Sequence, residues 1–238
     1  YIKLLKTQID RYLQNPGREV QSVAESSFDT WIKFYRPDEN SNNAGTSYYN
    51  KGCLVALCLD LGLRLRGSSL DVLVRKLYEN AQKGIQVTER TIFELCEELT
   101  GHSWLEQINH LIYTTDELPL DQLFPEFGIE YQLKNDKTQP FGLKLAEKPE
   151  GVLIQQARRE GAGAKAELSA NDVIVAIDGL KASEKLLAQY AKQQGECVVH
   201  AFRRDELLQF TVKAAEIGLA TVDLKVVDQS KAENWLKA

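Results

Sequence analysis

"TSYYNKGCLVALCLDL" (residues 46–61) places two tyrosines and a Lys-Gly pair directly before an almost wholly apolar run. Thr46 or Ser47 can cap a helix. The pattern predicts a helix over residues 48–65 that is apolar nearly all round and therefore central to a core. Such a helix needs others packed about it, and the flanking sequence supplies them. Upstream, Ile2, Leu5, Ile9 and Leu13 form one stripe that stops at Asn15-Pro16-Gly17. A second helix is expected over 20–35, with Val23, Phe28, Trp31 and Phe34 as its apolar members. Between it and the quoted stretch lies a polar segment rich in turn formers, "RPDENSNNAGTS". Downstream, Ser69 caps a helix to about 82, with Leu70, Leu73, Val74 and Leu77 inward. Thr88 opens another that ends at Gly101, and shorter helices are expected over 104–113 and 120–124.

After Gly128 the period changes. "IEYQLKN", "GLKLAEK", "GVLIQQA", "NDVIVAIDG", "CVVHAFRR" and "LLQFTVKAA" are short alternating segments rich in β-branched residues, broken by one helical pattern over 183–193. The expected fold class is α+β: a helical part over 1–130, a small β-rich domain over 131–216, and a tail over 217–238. The tail alternates again and reads as an added strand, with a short helix, that returns to one part or the other.

Composition bounds the function. The chain has 238 residues and a formal net charge of −5. That charge argues against a nucleic-acid binder, which carries a basic patch or stripe. No apolar run reaches the length of a membrane span, and a cytoplasmic location is expected. Cys53, Cys58, Cys96 and Cys197 sit in apolar surroundings and read as buried thiols of a reducing compartment. His102, His110 and His200 share no zinc-ligand spacing, so no metal site is expected in this chain. The start at Tyr1 and the lack of any Met suggest a fragment of a longer protein.

"PFGLKL" followed by "GVLIQQARREGAGAKAELSANDVIVAIDGLKA" resembles a bacterial PDZ domain, with Asn171 in place of the usual Gly before Asp172. Asn also tolerates positive φ. The resemblance implies a β-sandwich or partly open barrel that binds an extended peptide by strand addition. Amides around Phe141, Gly142 and Leu143 would receive a C-terminal carboxylate, and Leu187, on the 183–193 helix, would line an apolar pocket. The alternative is a groove that is empty or filled by the chain's own tail, in a domain that serves only for packing.

The first half, "VQSVAESSFDTWIKFYRPDENSNNAGTSYYNKGCLVALCLDLGLR" with "GSSLDVLVRKLYE" and "YTTDELPLDQLFPEFGIEY", resembles the rear of the catalytic region of the glycyl aminopeptidase family. These are thermolysin-like zinc peptidases, of the gluzincin group, with a C-terminal PDZ domain. Their zinc-binding H-E-x-x-H is missing from this chain, so zinc would belong to the full-length parent and the fragment alone would be inactive. Related gluzincin aminopeptidases carry a Y-x-K-G element whose tyrosine faces the zinc. Tyr49-Asn50-Lys51-Gly52 fits it, which implies that Tyr49 donates a hydrogen bond to the oxyanion. Arg36, Asp38, Glu39 and Asn40 are candidates for a pocket that holds the substrate's amino terminus. The same residue types also build caps and turns. Lys51 is expected to pair with a nearby carboxylate. The implied function is the rear part of an aminopeptidase acting on small N-terminal residues of peptides. The competing reading is a non-catalytic helical scaffold that presents a PDZ groove to C-terminal peptides.

Overall fold

The computed structural model describes residues 1–193 and 195–236. The helical part contains α1 (Ile2–Leu13), a 3-10 turn (Pro16–Glu19), α2 (Val23–Phe28), a π turn (Thr30–Phe34), α3 (Ser41–Ala44) and α4 (Tyr48–Arg64). It continues with α5 (Leu70–Gln82), α6 (Glu89–Thr100), α7 (Leu105–Tyr113) and α8 (Leu120–Glu126). The strands follow: β1 (Ile129–Pro140), β2 (Leu143–Lys148) and β3 (Gly151–Ala157), then α9 (Ala162–Lys165), β4 (Val173–Ile177) and β5 (Leu180–Lys181). The chain closes with α10 (Glu184–Ala191), β6 (Glu196–Arg203), β7 (Glu206–Lys213), β8 (Glu216–Val226) and α11 (Gln229–Leu236).

The helix starts follow the caps. Ser47, Ser69 and Thr88 each accept a backbone N–H of the first turn that they open, which satisfies a donor the helix leaves unpaired. Gly101 closes α6 in the left-handed region, at φ 70°. Helix α4 runs through the middle, as its composition requires. Leu54, Leu57 and Leu61 join a first core with Leu5, Ile9 and Tyr12 of α1 and with Phe124 and Phe127. Leu63 belongs to a second core with Leu73, Leu95, Cys96, Trp104 and Ile108.

The β part has its own core, which includes Phe141, Leu143, Val152, Ile154, Ile174, Leu187 and Val199. Its sheet runs β2-β3-β4-β6-β7, with β5 attached to β4. A separate two-stranded antiparallel ribbon pairs β1 with β8, from Ile129↔Val226 to Pro140↔Glu216, with an irregularity between Lys134 and Lys137. The tail therefore returns to the helices: Val222, Leu224 and Trp235 complete the first core. The amide of Val222 donates to Asp10 Oδ1 at 2.7 Å.

The second expected helix is corrected. The segment 20–35 breaks at Asp29, and a π turn follows. The Thr30 hydroxyl donates to the carbonyls of Ser26 (2.9 Å) and Ser27 (2.8 Å), so a short polar side chain competes with the backbone ladder. The break turns the apolar stripe outward: Phe28 is 90% and Trp31 79% exposed. Val74 on α5 and Cys53 on α4 are likewise exposed, not inward. Burial pushes the thiol of Cys58 up to about 12. No described helix is long and apolar enough to cross a membrane.

Candidate functional site

The mouth of α4 is built by short-range hydrogen bonds. The Ser26 hydroxyl donates to the Thr46 carbonyl at 2.5 Å, and the Thr46 amide donates to Gln21 Oε1 at 3.1 Å. Ser47 then receives the Asn50 amide, while the Asn50 side-chain amide donates to Gln8 Oε1 (3.0 Å) and to the Gln8 carbonyl (3.1 Å) on α1. Gly17 lets the 3-10 turn press against this segment: a Cβ there would lie 2.0 Å from the Gly45 carbonyl oxygen. The backbone of the first turn of α4 is thereby anchored by its neighbours.

Tyr49 stands on that turn and is 57% exposed. Its hydroxyl lies 2.9 Å from that of Tyr35, which lies 3.4 Å from that of Tyr48. The Tyr48 and Tyr49 rings pack at 4.2 Å, and Phe34 meets them at 5.4 and 5.8 Å. Hydrogen bonds from Tyr35 and then Tyr48 favour its phenolate and hold Tyr49 below the ordinary phenol value. Donation in the opposite sense raises Tyr48. A phenol made more acidic by its neighbours is a stronger donor toward a developing negative charge.

The other candidates separate. Asp38 accepts from the Ser41 hydroxyl and the Asn40 amide, and Asn40 accepts from the Asn43 side chain. Both are therefore engaged in a turn network. Arg36 and Glu39 are exposed on the same loop. Lys51 departs from its expected pairing. It is wholly buried, and its ammonium reaches the Thr114 carbonyl at 3.4 Å, with the Tyr12 ring face at 6.0 Å. Burial lowers its pKa, opposed by the field of Glu117. Glu117 itself pairs with Arg18 at 2.5 Å and accepts from Tyr12.

The expected carboxylate cradle of the β part lies where β1 gives way to β2. The Phe141 amide donates to the Ala215 carbonyl (2.8 Å) and the Gly142 amide to that of Gln139 (3.1 Å). Two of the three amides are already used by the chain's own backbone. Phe141 and Leu143 are buried, and Leu187 is fully buried in the β core. At the far end of β2, the Glu147 amide donates to Glu184 Oε1 and the Glu184 amide to Glu147 Oε1, at 2.9 and 2.8 Å. That exchange ties the strand to the start of α10.

Among the described residues no group of three His, Cys, Asp or Glu side chains is placed to hold a metal ion. His102 and His110 are exposed on the helical part, and His200 lies on β6. These residues do not fit a zinc centre.

Residues 1–55 match the family model described as M61 glycyl aminopeptidase. Over these residues the chain is similar to the M61 glycyl aminopeptidases. A crystal structure of an aminopeptidase N family protein from Idiomarina loihiensis is 31% identical, with a TM-score of 0.86 over 99% of this chain. The chain spans 44% of the length of that protein. A serine endoprotease from Yersinia pestis matches over 32% of this chain and 28% of its own, at 16% identity and a TM-score of 0.28. The HtrA3 PDZ domain bound to a phage-derived ligand matches over 40% of this chain and 92% of its own, at 15% identity and a TM-score of 0.27. Neither of these two likenesses carries weight. No curated protein matches the sequence.

The M61 segment contains Tyr35, Tyr48, Tyr49 and the 36–40 loop. Sequence reasoning missed Tyr35 as the partner of Tyr49, because only the π turn brings the two hydroxyls together. It also missed the open space beside Gly52, a half-buried position. A Cβ at Gly52 would meet nothing within 4 Å, so packing within this chain does not require glycine in mid-helix. Gly52 follows Tyr49 by one helical turn and so shares its face.

Proposed function

We propose that the chain is the rear part of a zinc-dependent aminopeptidase that removes small N-terminal residues from peptides, with zinc held elsewhere in the longer protein. The observation that carries this reading is Tyr49: within the segment matched to M61 glycyl aminopeptidases, its hydroxyl lies 2.9 Å from that of Tyr35 on an anchored helix start, in an exposed aromatic face. In the reaction Tyr49 donates its hydroxyl hydrogen bond to the oxyanion of the tetrahedral intermediate. Tyr35 holds that hydroxyl, and Gly52 leaves room beside it for a substrate backbone or a second segment to approach. Arg36 and Glu39 remain exposed beside this face as contacts for a peptide's end.

The β part is PDZ-like in sequence, and we assign it a packing role. The alternative, capture of C-terminal peptides, is disfavoured by the engaged amides of Phe141 and Gly142 and by the Glu147–Glu184 tie.

The test is to join this chain to the zinc-ligand-bearing half of an M61 relative. Zinc content and hydrolysis of glycyl and alanyl anilides are then measured, with the chain alone as control. Zinc-dependent hydrolysis by the joined protein supports the reading. A folded, zinc-loaded product without turnover overturns it.

A further inference from the structure

Two of the contacts between the β part and the helical part meet at one side chain in the segment that precedes Tyr49. Asn43, on α3, donates its side-chain amide to the Ala157 carbonyl at 2.7 Å and accepts the Arg159 amide at 3.2 Å. Both partners are main-chain groups at the end of β3. The same side-chain amide donates to Asn40 Oδ1 at 2.9 Å. One side chain therefore spans from the β sheet to the loop of Arg36, Asp38, Glu39 and Asn40.

The β3 end is itself fixed. The Arg158 amide donates to the Gly142 carbonyl at 2.9 Å, and the Arg158 side chain bonds Gln139 (2.9 Å) and the Gln14 carbonyl. Arg159 pairs with Glu19 at 3.1 Å. On the other flank, the Asn15 side chain donates to the Gly45 carbonyl at 3.1 Å. The 36–45 segment is thus held at Gly45 by the helical part and at Asn43 by the β part, and the candidate pocket loop is its remaining, exposed portion.

We infer that Asn43 is a positioning residue: through it the β part sets the 36–40 loop in front of Tyr49. The position fits the residue type, because only a side chain with both a donor and an acceptor can satisfy a carbonyl and an amide at once. The functional half of the inference rests on the aminopeptidase reading; the structural half does not.

The experiment is hydrogen exchange on the full chain, followed by mass spectrometry, for three variants. Asn43→Ala is expected to speed exchange across 36–42 and at Arg159 by about three- to tenfold, the scale of a lost hydrogen bond, with α4 unchanged. Asn43→Asp keeps the acceptor for Arg159 and loses the donors. It is expected to loosen 36–42 while Arg159 stays protected. Arg159→Ala removes the Glu19 pair and keeps the main-chain amide, so the loop is expected to exchange as in the parent chain. Unchanged exchange in Asn43→Ala, or equal loosening in Arg159→Ala, overturns the inference. In the joined peptidase, Asn43→Ala is expected to raise KM about threefold or more with kcat held, and a fall in kcat alone would overturn the pocket role. A joined protein that hydrolyses nothing removes the peptidase reading and leaves the exchange result to decide Asn43.

Discussion

Two aromatic clusters of the chain show what the same chemistry does in two settings. Phe124, Phe127 and Trp235 are 0, 8 and 6% exposed; the rings of Phe124 and Phe127 meet the Trp235 indole at 6.2 and 5.9 Å. Trp31 and Tyr49 are 79 and 57% exposed, with Phe34, Tyr35 and Tyr48 in ring contact among them. The first cluster seals the helical core with the returning tail. The second has no core to seal, and its hydroxyls are joined to one another. A contiguous exposed apolar face is unusual for a surface that stays in water. The difference teaches that aromatic content marks burial in one place and an offered surface in another, and that the π turn separates the two outcomes.

The comparison can be broken from the buried side first. Trp235→Ala removes the ring that closes the first core and is expected to cost about 3–5 kcal/mol, read as a fall in the denaturant midpoint. A loss below about 1 kcal/mol would mean that the tail is not part of the core. On the exposed side, Tyr49→Phe is expected to leave the stability of the chain unchanged and to lower kcat of the joined peptidase by about 10²-fold. Unchanged turnover would remove Tyr49 from the chemistry.

Gly52→Ala sharpens the contrast between fold and site. With open space at the Cβ position, alanine is expected to stabilise α4 by up to about 1 kcal/mol, measured by thermal melting. If Gly52 serves approach of a substrate, the same change lowers activity in the joined protein. The smallest effect is a titration. Tyr49 ionises below the ordinary phenol value because Tyr35 and Tyr48 donate to its phenolate. Tyr35→Phe removes the first of these donors, so the Tyr49 pKa rises. Ultraviolet difference titration against Tyr49→Phe is expected to show that rise, and the alkaline limb of activity moves to higher pH with it. A fall in pKa would reverse the assigned direction of donation.

The helix starts were legible because capping is local chemistry. Ser47, Ser69 and Thr88 each stand where a side-chain oxygen meets the amides of the first turn. The alternating strands after Gly128 were legible for the same reason, since period two survives without knowledge of partners. The outward turn of Phe28 and Trp31 was not, because it depends on Thr30 choosing two carbonyls over a continuous helix. Nor was the use of the Phe141 amide, whose partner Ala215 lies in a distant part of the sequence. Lys51 shows the same limit: its type predicts a carboxylate, and the packing gives it a carbonyl. At the candidate site, Tyr49 and its loop were marked by motif and turn residues, while Tyr35 and Asn43 gained their roles from tertiary geometry.

The β1–β8 ribbon has a consequence for the order of events during synthesis. Asp10 on the first helix waits for the amide of Val222, 212 positions later. Val222, Leu224 and Trp235 arrive after the whole β part has been made. Emerging from a ribosome, the helical half therefore carries an open apolar seam while the β part, whose core is self-contained, can already close. Late long-range closure of this kind slows folding and leaves the early half in need of protection. A truncation that spares every residue around Tyr49 but removes the last strand and helix would thus strike the segment that holds Tyr49 from the far end of the chain.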